Sequence, residues 1–179
     1  MMHFEIFQGR KLPKSYIQRM VKQRIQEYGE NTKDFEKNEQ NSFFIFLWEH
    51  DVLKAFGMLK PLRLTYLEEV YNVRGIGNII AIEKGQGYGK LLMTELRSYL
   101  DSQKRVGLGF CDPENTGFYR KCGYTVVEDI STRFRYLHAQ ETGNRERLDD
   151  APDVLCSSPE FIDLLQSTEE PIYVSVPFW

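Results

Sequence analysis

The 179-residue sequence predicts one mixed α/β domain with a C-terminal addition, and three observations predict it. A β-type segment, Ile76-Gly77-Asn78-Ile79-Ile80-Ala81-Ile82, runs into the glycine turn Gly85-Gln86-Gly87-Tyr88-Gly89-Lys90 and then into helical spacing over residues 91–100. Two apolar runs, Phe43-Phe44-Ile45-Phe46-Leu47-Trp48 and residues 52–59, flank the turn residues His50-Asp51. Short β-type and helical segments then alternate to the end of the chain, with no internal repeat.

Taken in order, residues 3–7 suit a first strand. Pro13 opens a helix whose Ile17, Met20, Val21, Ile25 and Tyr28 fall on one face, and Gly29 stops it. Residues 30–41 are polar and charged, a loop or a poorly regular helix. The run 43–48 is apolar throughout, as in a strand covered on both faces. Its partner, 52–59, is expected to close at Pro61. The next strand lies within 66–82 and is expected to bend, because Gly75 and Gly77 weaken regular pairing. Leu92, Leu96, Tyr99 and Leu100 give the following helix a buried stripe. Residues 106–110 form a short strand, and Pro113 suits the first turn of a short helix that Gly123 ends. Tyr124-Thr125-Val126-Val127 and residues 132–137 read as strands. Residues 139–152 read as a polar linker or loop. Ser158 and Pro159 cap and start a helix through Leu165, and residues 171–176 end the chain as a β-type segment.

Composition excludes several function classes. The chain is 41% hydrophobic with a formal charge of −3, which gives no general attraction for nucleic acid or an anionic membrane. Cys111, Cys122 and Cys156 make neither a paired framework nor a metal-ligand spacing, so no metal is expected. The first residues lack a signal peptide's basic start and apolar stretch, and no run approaches the ~20 apolar residues of a membrane span. A cytoplasmic location is the expectation.

The glycine turn places unpaired N–H groups and the positive end of a helix dipole together, a cradle for phosphate oxygens. Spacing separates the candidate loops. A Walker A loop would need Gly where Lys84 stands and Ser or Thr where Leu91 stands. A dinucleotide fingerprint starting at Gly85 and Gly87 would place its third glycine on Lys90. Both are rejected. The pattern Gln/Arg-x-x-Gly-x-Gly/Ala fits Lys84-Gly85-Gln86-Gly87-Tyr88-Gly89, with Lys84 replacing Gln or Arg. On the loop alone, a turn that merely joins strand to helix fits as well. Beyond the helix stands a second motif, Gly117-Phe118-Tyr119-Arg120-Lys121-Cys122-Gly123-Tyr124.

On these two motifs, in this order, the sequence resembles the GNAT superfamily of acetyl-coenzyme A-dependent N-acetyltransferases. Phe118-Tyr119, Lys121 and Gly123-Tyr124 match every position of the family's Phe/Leu-Tyr-x-Lys-x-Gly-Phe/Tyr helix. The resemblance covers residues 43–128. It implies a mixed, mainly antiparallel central sheet flanked by helices. The order of elements along the chain divides it into a core at 1–138, a linker at 139–152 and a C-terminal extension at 153–179 packed on the same domain. The resemblance implies acetyl-CoA as cosubstrate and an amine acceptor. The coenzyme would be held by Lys84, Gly85, Gln86, Gly87, Tyr88, Gly89 and Lys90, by the splayed strand Ile79, Ile80 and Ala81, and by Asn115 and Tyr119. The Ile80 N–H is the expected oxyanion donor; a plain sheet irregularity is the other reading of that strand.

By the same resemblance Tyr119 protonates the departing thiolate, although an aromatic packed under a short helix needs no such role. Glu69 is the candidate base, working through water; paired with Glu68 at a strand entry, it also reads as simply solvated. Pro177-Phe178-Trp179 either closes an acceptor cavity or packs at an edge, as at a dimer contact, and exposed strand edges suit a homodimer. The implied function is transfer of acetyl to a primary amine on a small molecule by direct attack in a ternary complex. The competing readings are acetylation of a protein lysine or N-terminus, and a non-catalytic acyl-CoA sensor.

Overall fold

A computed structural model describes residues 1–30, 35–136, 152–176 and 179. The strands are β1 (Met2–Gln8), β2 (Phe43–Glu49), β3 (Val52–Tyr66), β4 (Glu69–Ala81), β5 (Gly107–Cys111), β6 (Thr125–Val127), β7 (Phe134–Tyr136), β8 (Asp153–Cys156) and β9 (Ile172–Val174). The helices are α1 (Lys14–Tyr28), α2 (Phe35–Asn38), α3 (Tyr88–Ser102), α4 (Thr116–Lys121) and α5 (Pro159–Leu165). The chain divides into two compact units, one of Met1–Lys60 with Ile76–Leu96, the other of Pro61–Gly75 with Arg97–Trp179. β3 and β4 contribute residues to both.

In the first unit the strand order is β1-β2-β3-β4, with β1 and β3 antiparallel to β2. Phe44, Ile45, Phe46 and Leu47 are all buried, so β2 is covered on both faces as its continuous apolar run predicts. Tyr16 of α1 packs edge-on against Phe46 at 5.2 Å, and the Arg24 guanidinium lies over the Phe44 ring, so α1 covers the even-numbered face. Gly57 pairs with Ile45 and faces Leu92 and Leu96, so α3 covers the odd-numbered face.

The expected face of α1 is corrected. Met20 and Arg24 are its buried residues, whereas Val21, Ile25 and Tyr28 are exposed. Arg24 tolerates burial because its Nη1 donates to Glu39 Oε2 at 2.7 Å and its cation faces an aromatic ring. Within residues 30–41, expected as a loop or a poorly regular helix, one helical turn forms at α2; residues 31–34 lie outside the described residues.

Pro61 does not close β3, which runs on to Tyr66. Proline's fixed φ suits extended backbone, so it removes a donor without ending the strand. Leu67 and Glu68, both with positive φ, turn the chain from β3 into β4. Neither Gly75 nor Gly77 takes positive φ; the left-handed residue within β4 is Asn78, at φ 52°.

In the second unit the order runs β4-β5-β8-β6, and β9 pairs with both β3 and β7. β8 is antiparallel to β5 and β6 and lies between them. The expected C-terminal extension therefore supplies an interior strand. Leu62, Leu64, Tyr66, Leu108, Val154, Ile162, Leu165 and Ile172 belong to one buried cluster. α5 forms as expected, with the Ser158 hydroxyl accepting from the Phe161 N–H at 3.2 Å and Pro159 in its first turn. β7 is shorter than the expected 132–137 because a 3₁₀ turn spans Ile130–Arg133; Leu137 and residues 139–151 lie outside the described residues. Cys111, Cys122 and Cys156 are free and buried. Among the described residues no helix is long and apolar enough to cross a membrane, and no cluster of three or more His, Cys, Asp or Glu could hold a metal.

Candidate active site

The glycine turn is built as its residue types require. Gly85 and Gly87 have φ of 75° and 82°, left-handed backbone that side chains with a Cβ rarely adopt. A Cβ at either would meet nothing within 4 Å, so this side of the turn is open. α3 starts at Tyr88, and its first closing bond is Leu91 N–H to Gly87 C=O at 3.1 Å. That leaves the amides of Tyr88, Gly89 and Lys90 without an intrahelical acceptor, at the positive end of a helix of 15 residues. Such an end offers main-chain donors to an anion, whatever side chains are present.

Four side chains brace the turn. The Lys84 Nζ contacts Glu27 Oε1 of α1 at 2.7 Å, so this departure from the Gln/Arg pattern is anchored on the protein itself. The Tyr88 hydroxyl donates to Glu49 Oε2 at 2.7 Å. That bond holds the Glu49 carboxyl below the ordinary carboxylate range and raises the Tyr88 phenol. The Lys54 ammonium lies 5.3 Å from the Tyr88 ring centre and 2.5 Å from Glu83 Oε1, and the hydrogen bond to Glu83 leads the causes that raise its pKa. Sequence reasoning missed Glu27, Glu49, Lys54 and Glu83, since only the fold brings them beside the loop.

The strand leading to the cradle carries Ile79, Ile80 and Ala81 directly after the left-handed Asn78. Ile80 is buried, whereas Ile79 and Ala81 are half-buried. A single left-handed residue within a strand redirects the groups that follow it. Lys84, Gly85, Gln86, Gly87 and Lys90 are exposed, and Tyr88 and Gly89 partly so.

In the second unit, a 3₁₀ turn over Pro113–Asn115 leads into α4. Asn115 is exposed and Tyr119 half-buried, its ring edge-on to Phe118 at 5.1 Å. The Tyr119 carbonyl accepts from the amides of Cys122 and Tyr124, and Gly123 takes the expected left-handed conformation at φ 86°. Glu69 is exposed at the first residue of β4, beside the Leu67-Glu68 turn. Trp179 packs against Phe110 at 5.2 Å, and a Cβ on Gly75 would collide with its indole. The last residue is thus folded onto β4 and β5 within its own unit.

No protein-family profile matches the sequence, and no curated protein matches it. Solved structures do. An acyl-CoA N-acyltransferase from Pseudomonas aeruginosa aligns with TM-score 0.61 at 12% identity, over 88% of this chain and 100% of that one. The catalytic domain of the Tetrahymena GCN5 histone acetyltransferase, in complex with coenzyme A, aligns with TM-score 0.56 at 12% identity, over 89% and 95%. The fold is the GNAT fold. A conserved protein of unknown function from Enterococcus faecalis V583 aligns with TM-score 0.57 at 21% identity. The alignment takes in 69% of this chain but only 32% of that longer protein. The GNAT fold therefore accounts for the mixed, mainly antiparallel sheet with helices on its faces, as the two motifs imply.

Proposed function

We propose that the chain is an N-acetyltransferase that moves the acetyl group of acetyl-CoA onto a primary amine of a small molecule, by direct attack in a ternary complex. The observation that carries this reading is the turn at Gly85 and Gly87, open on one side and ending in three helix-terminal amides behind a strand broken at Asn78. Its chemistry suits a diphosphate attached to a long extended arm, which can lie along the backbone groups of Ile79, Ile80 and Ala81. The neighbouring structures on the same fold, one of them in complex with coenzyme A, support that choice of ligand.

In this reading the amine nitrogen attacks the thioester carbonyl, the C–S bond breaks and the thiolate leaves. The Ile80 N–H donates to the tetrahedral oxygen, Tyr119 protonates the thiolate, and Glu69 takes the amine proton through water. Holding both reactants in one complex contributes several kcal/mol of the rate enhancement, on the order of 7–11 at the upper end.

The test is calorimetric titration with acetyl-CoA, followed by acetyl-CoA consumption against a panel of small amines, lysine peptides and aminoglycosides. Binding to the wild type, at least tenfold weaker in Gly87→Val, is expected, with turnover highest on a small amine. No heat with acetyl-CoA would overturn the reading. Highest turnover on a lysine peptide would move the acceptor to protein.

A further inference from the structure

α4 is six residues long, too short to hold its own orientation. It also lacks the usual entry cap: Asn115 precedes it in right-handed helical conformation, with no side-chain hydrogen bond to the first turn. What fixes it is a buried polar contact. The Thr116 hydroxyl, on the first residue of α4, donates to Asp153 Oδ2 of β8. Thr116 is 6% exposed and Asp153 5%, so the contact is dry. The Cys111 sulfur of β5 stands 3.9 Å from the same hydroxyl, and Cys111 is the register partner of Asp153 across the β5–β8 pair. Since the hydroxyl hydrogen goes to Asp153, the thiol is left to donate to the Thr116 oxygen. One helix and two strands are thus joined at a point by three side chains.

We propose that the Thr116–Asp153 contact is a latch that orients α4 and so aims the Tyr119 hydroxyl, which makes Thr116 and Asp153 positioning residues of the acetyl transfer. The proposal rests on the reading of Tyr119 as proton donor. Thr116 and Tyr119 are three apart on a helix, so they lie on neighbouring faces one turn from each other. The far end of α4 is tied separately, by Arg120 Nη2 donating to the Val126 carbonyl of β6 at 3.1 Å. β6 and β8 are themselves paired, so both ties refer the helix to one rigid strand pair. A buried carboxyl is a costly way to gain stability, because apolar side chains of similar volume serve as well. What it adds over them is direction: a hydrogen bond fixes the rotation of α4 about its axis, which apolar packing leaves looser. The aim of a proton donor depends on that rotation, and a misplacement of about 1 Å costs on the order of a hundredfold in rate.

The experiment compares Thr116→Val, Thr116→Ser and Asp153→Asn, each alone and combined with Tyr119→Phe. Turnover is measured well below each variant's melting temperature with the best amine of the panel. Amine-independent hydrolysis of acetyl-CoA, which releases the same thiolate, is measured alongside it. Thr116→Val is expected to lower kcat tenfold or more while the acetyl-CoA dissociation constant changes less than threefold, and Thr116→Ser restores the rate. In the Tyr119→Phe background the Thr116→Val change causes no further loss, and crystals of Thr116→Val show Tyr119 displaced or in two conformers. The latch is overturned if the two losses multiply, if Tyr119 is unmoved, or if only the melting temperature falls. Full turnover by Tyr119→Phe would instead remove the proton-donor reading on which the latch depends. If Thr116→Val does not fold, Asp153→Asn, which keeps the shape of the site, carries the same comparison.

Discussion

Tyr88 illustrates how one residue serves both the cradle and the stability of the unit around it. Its hydrogen bond leads the causes that depress the Glu49 pKa and raise its own. The depressed carboxyl contributes stability that is present above its unfolded pKa and lost as pH falls through its folded value. The raised phenol contributes below its unfolded pKa, about 10, and loses that contribution as pH rises through its folded value. The stability gap between wild type and Tyr88→Phe should therefore be flat across neutral pH and shrink towards both extremes, read by urea denaturation over a pH series. Gly9 is constrained differently: a Cβ there would overlap the Glu39 carbonyl oxygen, and backbone cannot swing aside. Gly9→Ala is expected to cost about 1–3 kcal/mol, seen as a lower urea midpoint. For chemistry, Glu69→Gln should lower kcat/KM on the amine on the order of a hundredfold if Glu69 is the base. An unchanged value would leave deprotonation to bulk water.

Among the elements, α5 follows from local chemistry alone. Ser158 caps it through the Phe161 amide, Pro159 starts it, and Phe161, Ile162 and Leu165 are buried. Ser158→Ala should cost about 1 kcal/mol by chemical denaturation, the usual value of a lost cap. The same local signals made α3 legible, because the glycine turn and the stripe at Leu92, Leu96 and Leu100 act within one segment. The buried face of α1 is not legible in the segment, because its cause is not local. Arg24 is buried by an ion pair to Glu39, 15 residues away, and by the Phe44 ring. Nothing within the helix distinguishes that arginine from an exposed one.

For the whole molecule the decisive placement is β8. It lies between β5 and β6, so its removal would strip both of their shared partner. A chain truncated after residue 152 is expected to lose near-ultraviolet circular dichroism and cooperative unfolding, with β5 and β6 presenting unpaired edges that aggregate. A soluble, cooperatively folding fragment would contradict this. The Asp153-Val154-Leu155-Cys156 segment is too short to declare itself by pattern, and its place between two earlier strands has no local signature.

What the sequence determined by itself was the pair of motifs, the order of most elements and the glycine turn that opens α3. Each depends on residues within about ten positions of one another: left-handed glycines, helix starts and stops, and apolar periods. Only the tertiary structure decided where Asp153 meets Thr116, which side chains brace the glycine turn and which face of α1 is buried. Those contacts join residues far apart along the chain, and their energies exist only once the backbone has brought the partners within hydrogen-bonding distance.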